Sequence, residues 1–145
     1  MNRKERCRIL IEGSGRLLKD LGEEIEKSFS VQTIDEPNEG VVMVRMRDSA
    51  RKAPFYLGEV LVTEAKVQVD GAVGIGIIRG HHPKRAYRLA LVDGAWNRGV
   101  PQIADWTKRL VKERVLIARE QEREEGRILK TRVDFSTMED QGVEK

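Results

Sequence analysis

The spacing of apolar residues is helical at the start of the chain and shortens to about two near residue 31. Cys7, Leu10 and Ile11 lie on one side of a short helix over residues 3–12, which Gly13-Ser14-Gly15 ends. The Ser14 hydroxyl is placed to cap a second helix, whose stripe is Leu17, Leu18, Leu21 and Ile25. Val31 to Ile34 then reads as a short strand, followed by a turn at Glu36-Pro37-Asn38-Glu39-Gly40. Val42, Val44 and Met46 alternate with Met43, Arg45 and Arg47, the pattern of a half-buried strand. Asp48 to Pro54 is a polar loop. Tyr56 to Val69 is rich in strand formers, but its alternation changes phase, so a bulge or break is expected near Thr63-Glu64.

Asp70-Gly71 is the clearest local signal, since both residues tolerate positive φ and suit a two-residue hairpin turn. Val73, Ile75 and Ile77 take one face of the returning strand, and Gly74 and Gly76 the other. Pro83 opens a helix with Ala86, Leu89, Ala90 and Asp93 on one stripe, ended by Gly99-Val100-Pro101. A last helix over residues 102–125 aligns Ile103, Trp106, Leu110 and Ile117, with Val111, Val115 and Ala118 widening that face. These elements predict an α+β fold, an antiparallel sheet of about four to five strands packed against N-terminal and C-terminal helices. One domain over residues 1–130 is expected, with an extended arm or tail over 131–145.

Composition narrows the classes without choosing among them. The 145 residues are 39% hydrophobic, 35% charged and 5% aromatic, which fits one folded domain and excludes a membrane-embedded or wholly disordered chain. The N-terminus has no apolar leader core, and the single Cys7 forms neither an internal disulfide nor a thiolate metal cluster. A cytoplasmic protein is expected. The net charge of +3 is evenly spread except in two places. Arg79, Lys84, Arg85 and Arg88 form a basic stretch without an acid, and the tail from Thr131 is acidic.

Several groups invite chemical readings. Gly74-Ile75-Gly76-Ile77-Ile78-Arg79-Gly80 lacks the spacing of either phosphate-loop fingerprint, so a strand face closely covered by another backbone is the simpler reading. His81-His82-Pro83 with Arg79, Lys84, Arg85 and Arg88 could bind phosphate at a helix start; a solvated loop with a basic face is the plainer alternative. Adjacent histidines diverge and make a poor metal pair. Asp93, on an apolar stripe, is either a catalytic carboxylate or a partnered buried one. The serines have no nucleophile's frame, and no catalytic set is readable. Aromatics are too few, and bases too interleaved with acids, for a nucleic-acid binder. Lys130 to Met138 alternates, with Val133, Phe135 and Thr137 on one side, and reads equally as a peripheral strand or a partner-binding arm.

Arg132-Val133-Asp134-Phe135-Ser136-Thr137-Met138 resembles the R-V-D-F-x-T-M signature of the PhnG family of the phosphonate carbon–phosphorus lyase system. Phe55-Tyr56-Leu57-Gly58-Glu59 with Leu61 and Thr63 is similar to that family's F-x-x-G-[DE]-x-x-[LV]-T stretch. Gly71, Gly74 and Gly80 match its glycines, and Ala86, Ala90, Leu91 and Asp93 its A-x-x-x-A-L-x-D helix. The correspondence runs without gaps from Asn38 to Ala95. It departs where the family has Y-S-W-V-Q-G-R-D, since Ile75 and Ile77 replace aromatics and His82 an acid.

The resemblance implies a subunit of the carbon–phosphorus lyase core complex, with PhnI, PhnH and PhnJ type partners and PhnL or PhnK type ATPases. With PhnH, PhnI and PhnL it would be required to transfer ribose triphosphate from ATP to an alkylphosphonate, releasing adenine. The role implied is accessory or structural, with PhnI carrying the nucleosidase chemistry. ATP is then a substrate of the complex, and no cofactor or metal is expected on this chain. Self-association within the core is open; nucleic-acid and membrane partners are not expected. Two sets of site residues follow. Arg79, Lys84, Arg85 and Arg88 are candidate phosphate ligands, and Arg132, Val133, Asp134, Phe135, Thr137 and Met138 are candidate partner contacts. A protein-interaction domain unrelated to phosphonates is the remaining alternative.

Overall fold

Asp70 and Gly71 have φ of 46° and 89°, the left-handed pair that a tight hairpin turn requires. They join the two strands that organise the sheet. The computed structural model describes residues 1–48 and 53–143, with side chains described outside 46–54, 56 and 128–143. Its elements run α1 (Arg3–Glu12), α2 (Arg16–Ser28), β1 (Val31–Asp48), β2 (Ala53–Val69), β3 (Ala72–Arg79), α3 (Pro83–Arg98) and α4 (Ile103–Val143). The mixed α+β class is as expected, and the sheet is antiparallel with order β1-β2-β3.

The sheet has three strands where about four to five were expected. Val31–Ile34 and the segment after Val42 are parts of one strand, because the expected turn at Glu36–Gly40 is a pair of irregularities within β1. Register shifts between Thr33 and Asp35, and between Asp35 and Asn38, absorb the extra residues, Pro37 among them. These bulges lie opposite Ala65 and Lys66, so the phase change read in β2 is met by extra residues in its partner. β2 itself pairs with β3 without interruption from Val62 to Val69.

One face of the sheet is closed by α3. Thr63, Ala65, Val67 and Val69 of β2 and Gly74, Gly76 and Ile78 of β3 are buried beneath it. A side chain on Gly74 would overlap the Ala90 carbonyl and the Gly94 amide; one on Gly76 would overlap the Ala86 carbonyl. Helix and strand therefore meet backbone to backbone, as the alternating glycines led us to expect. On its other side α3 packs against α1, α2 and the base of α4, burying Leu10, Leu18, Leu21, Ile25 and Leu110. The rings of Trp96 and Trp106 are 5.8 Å apart in that layer. Glu24 of α2 accepts from Trp106 Nε1 at 2.8 Å and from Arg109 at 2.6 Å. Burial opposes its charge, but these two donors and the Arg109 charge together hold its carboxyl below the usual range.

Three other expectations are corrected. The N-cap of α2 is Gly15, and the Ser14 hydroxyl only reaches the Arg16 amide at 3.4 Å. Val111 and Val115 are exposed, so the packed stripe of α4 is narrower than expected. The last helix runs to Val143 rather than ending near 125, so Lys130 to Met138 is helical backbone and not a peripheral strand. The alternation of Val133, Phe135 and Thr137 is outweighed by helix-forming Arg, Lys, Glu and Met around it. Gly76→Ala is expected to cost about 1–3 kcal/mol through overpacking. A fall in the urea midpoint at unchanged slope reads that cost; an unchanged midpoint contradicts close contact.

Candidate protein-interaction surface

β1 and β2 are 18 and 17 residues long, whereas β3 has 8. Pairing with β3 stops at Val62↔Arg79, so beyond that point β1 and β2 continue as a two-stranded hairpin. The face that α3 covers lower down is bare here. Val41 is 59%, Met43 54%, Leu57 57% and Leu61 45% exposed. The opposite face carries Val42, 47% exposed and paired with Val60. Phe55 is also exposed near the tip. A two-stranded hairpin is marginal in water, and a contiguous apolar patch on one marks a surface for another protein. Sequence reasoning read this strand as half-buried. The signal was present in Val41-Val42-Met43-Val44, which places apolar residues on both faces.

The basic stretch does not converge. Arg79 is exposed on the sheet's open face, opposite Val62. Arg85 turns the other way and donates to the Ile11 carbonyl at 2.8 Å, closing the C-terminal end of α1. Lys84 and Arg88 line a shallow depression of about 200 Å³ that also contains Glu23 and Glu26, so its charge is mixed. His81 Nδ1 meets Glu39, and the His82 amide donates to the Thr63 hydroxyl at 3.0 Å. Glu39 is the acid that sequence neighbours could not supply, because β1 delivers it from 42 residues away. Among the described residues no group of three or more His, Cys, Asp or Glu side chains could hold a metal. Burial pushes the Cys7 thiol up, as for an unreactive packed cysteine.

Asp93 is partnered. It is 2% exposed and accepts from Arg6, itself 4% exposed, and from Arg3, each at 3.0 Å. A third donor is the Ile75 amide, also at 3.0 Å. Arg6 lies over the Trp96 ring at 4.6 Å. Every strong donor around the carboxylate is engaged in joining α1, α3 and β3, which is a structural role. The proposed partner contacts Arg132, Val133, Asp134, Phe135, Thr137 and Met138 lie on the helical backbone of α4; their side chains lie outside the described residues. Between body and tail, residues 118–127 of α4 are exposed throughout.

The architecture is a small α+β body with a bare apolar hairpin and a long last helix whose residues 118–127 are exposed. Residues 1–140 match the family described as phosphonate metabolism protein PhnG, and the chain belongs to that family. No curated protein matches it significantly. No helix among the described residues is long and apolar enough to cross a membrane.

Removing the charge of Asp93 strands a buried guanidinium. Asp93→Asn is expected to cost about 3–5 kcal/mol, because Arg6 stays buried without a counter-charge. Arg3→Ala, on the exposed side of the same cluster, is expected to cost under about 1 kcal/mol. Denaturant unfolding of the two variants checks the ratio.

Proposed function

We propose that this chain is an accessory subunit of the phosphonate carbon–phosphorus lyase core complex. Family membership places it in phosphonate metabolism. The observation that carries the subunit reading is the hairpin, whose exposed Leu57 and Leu61 have no cover among the described residues. Their burial against a PhnI type subunit, with PhnH and PhnJ type proteins completing the core, removes that apolar area from water. In this reading the chain supports transfer of ribose triphosphate from ATP to an alkylphosphonate, together with PhnH, PhnI and PhnL type proteins. The chemistry belongs to the partners. The chain acts in a reduced, cytoplasmic setting and holds no cofactor of its own.

The tail adds a second contact. The polar stretch 118–127 spaces Arg132, Val133, Asp134, Phe135, Thr137 and Met138 away from the body, a suitable arrangement for an anchor that grips a neighbour. A role for Arg79, Lys84, Arg85 and Arg88 in triphosphate binding is the weaker reading. Arg85 is already committed to α1, and Glu23 and Glu26 share the depression with Lys84 and Arg88.

Co-expression with a PhnI type subunit tests the proposal. Leu57→Glu with Leu61→Glu is expected to weaken co-purification at least about ten-fold while leaving stability within about 0.5 kcal/mol, as for exposed positions. Truncation from Arg132 is expected to weaken it further. Full retention by both variants contradicts the proposed surface.

A further inference from the structure

The two edges of the sheet are finished differently. Along β3, outward backbone groups are taken up by α3: the Ile75 amide donates to Asp93 at 3.0 Å, and the Val73 carbonyl accepts from Asn97 Nδ2 at 2.8 Å. A cover of this kind closes an edge to further strands. Along β1 no such cap is present among the described residues, and the pairing fixes which groups are left. The Leu61 carbonyl accepts from the Gly80 amide at 2.8 Å, so Leu61 turns its backbone toward β3. Val41, its partner in β1, therefore stands in a non-hydrogen-bonded pair and turns its own N–H and C=O outward. The register is unbroken from Asn38 to Val44, so Glu39 and Met43 do the same. The contact of Glu39 with His81 involves its carboxylate alone.

This stretch lacks the devices that keep an edge from pairing. Pro37 and two register shifts precede Asn38, and a further shift lies between Val44 and Arg45. Between them Glu39-Gly40-Val41-Val42-Met43-Val44 has no proline, lysine or bulge. Val41 and Met43 are exposed on the face that α3 leaves bare, and Val42 is exposed on the other. Covering the faces alone would shut the outward amides and carbonyls away from water without partners, which costs free energy at each. A helix laid on either face cannot satisfy them, because its own backbone groups are bonded internally. An extended chain satisfies them at strand spacing and brings side chains to both faces at once.

We infer that the partner covers the hairpin by strand addition: an extended, uncharged apolar segment of another protein pairs with β1 between Asn38 and Val44 as a fourth strand. Its side chains lie beside Val41 and Met43 on one face and beside Val42 on the other. Glu39 and Arg45, the charges that could fix a second copy of β1 in register, are already engaged within the chain. The inference rests on the docking proposed above and adds the form of the occupant.

Residue-resolved hydrogen exchange of the full chain, alone and co-purified with a PhnI type subunit, tests it. In the free chain the Val41 and Met43 amides are expected to exchange faster than those of Val42 and Val44, which point to β2. In the complex that difference is expected to vanish. Val41→Pro and Met43→Pro each remove an outward N–H without breaking a bond to β2, a place where edge strands tolerate proline. Each is expected to keep the fold by circular dichroism and to weaken co-purification at least about ten-fold. Val41→Ile and Met43→Leu keep the amide and the apolar surface, and are expected to bind like the wild type. The exchange pattern decides the matter where a proline variant fails to fold. Val41 and Met43 amides that stay fast in a complex sensitive to Leu57→Glu with Leu61→Glu overturn strand addition and leave docking by the hairpin faces standing. Indifference to the leucine and proline changes alike overturns both. A dimer of the chain purified alone, lost in Met43→Pro by sedimentation velocity, overturns the inference by giving the edge to a second copy.

Discussion

The backbone contact between α3 and β3 sets the proportions of the whole molecule. Gly74 and Gly76 let the helix settle onto the strand until carbonyls and amides of Ala86, Ala90 and Gly94 occupy the space of absent side chains. So close a contact admits only one axial position for α3. The cover that α3 gives is therefore bounded by the 8 residues of β3, while β1 and β2 run to 18 and 17. The overhang of the hairpin follows directly. Its apolar residues are bare because, among the described residues, no helix extends over them, and residues 118–127 of α4 are exposed.

The Asp93 cluster holds the remaining layer against that contact. Arg3 and Arg6 bring α1 to the carboxylate, and the Ile75 amide ties the same group to β3. Burying an arginine costs free energy unless its charge is met, so the pair specifies where α1 lies more than it adds stability. Glu24 does the corresponding work at the other end, pinning Trp106 and Arg109 of α4 to α2. Both arrangements keep the body rigid, so the hairpin and the distal helix are presented from a fixed base. A fixed base limits what ordering costs when a partner binds.

Much of this was legible in the chain. The helical stripes, the Asp70-Gly71 turn and the glycine face of β3 follow from local periodicity and dihedral tolerance, which a single sequence carries directly. The strand count was not legible, because Pro37 and its neighbours imitate a turn, and only pairing with β2 shows them to be bulges. The end of α4 misled for the opposite reason. Five alternating residues weigh little against a helix already running for several turns, since extending a helix is easier than starting one. The partnership of Asp93 with Arg6 spans 87 positions and that of Glu39 with His81 spans 42; neither has a local signature. The bare hairpin left only the apolar run Val41-Val42-Met43-Val44 as a signal, because exposure depends on what fails to cover a strand, and that is a property of the lengths of its neighbours.

Membership in the PhnG family places this chain in phosphonate metabolism, and the role proposed for it there is assembly, in which another protein covers the hairpin beyond the reach of α3. Hydrogen–deuterium exchange reports this most directly, comparing the chain alone with the chain co-purified with a PhnI type subunit. Amides of residues 40–48 and 53–62 are predicted to slow strongly in the complex, while those of α3 and β3 stay protected in both states. Equal, rapid exchange of the hairpin in both states would contradict the account.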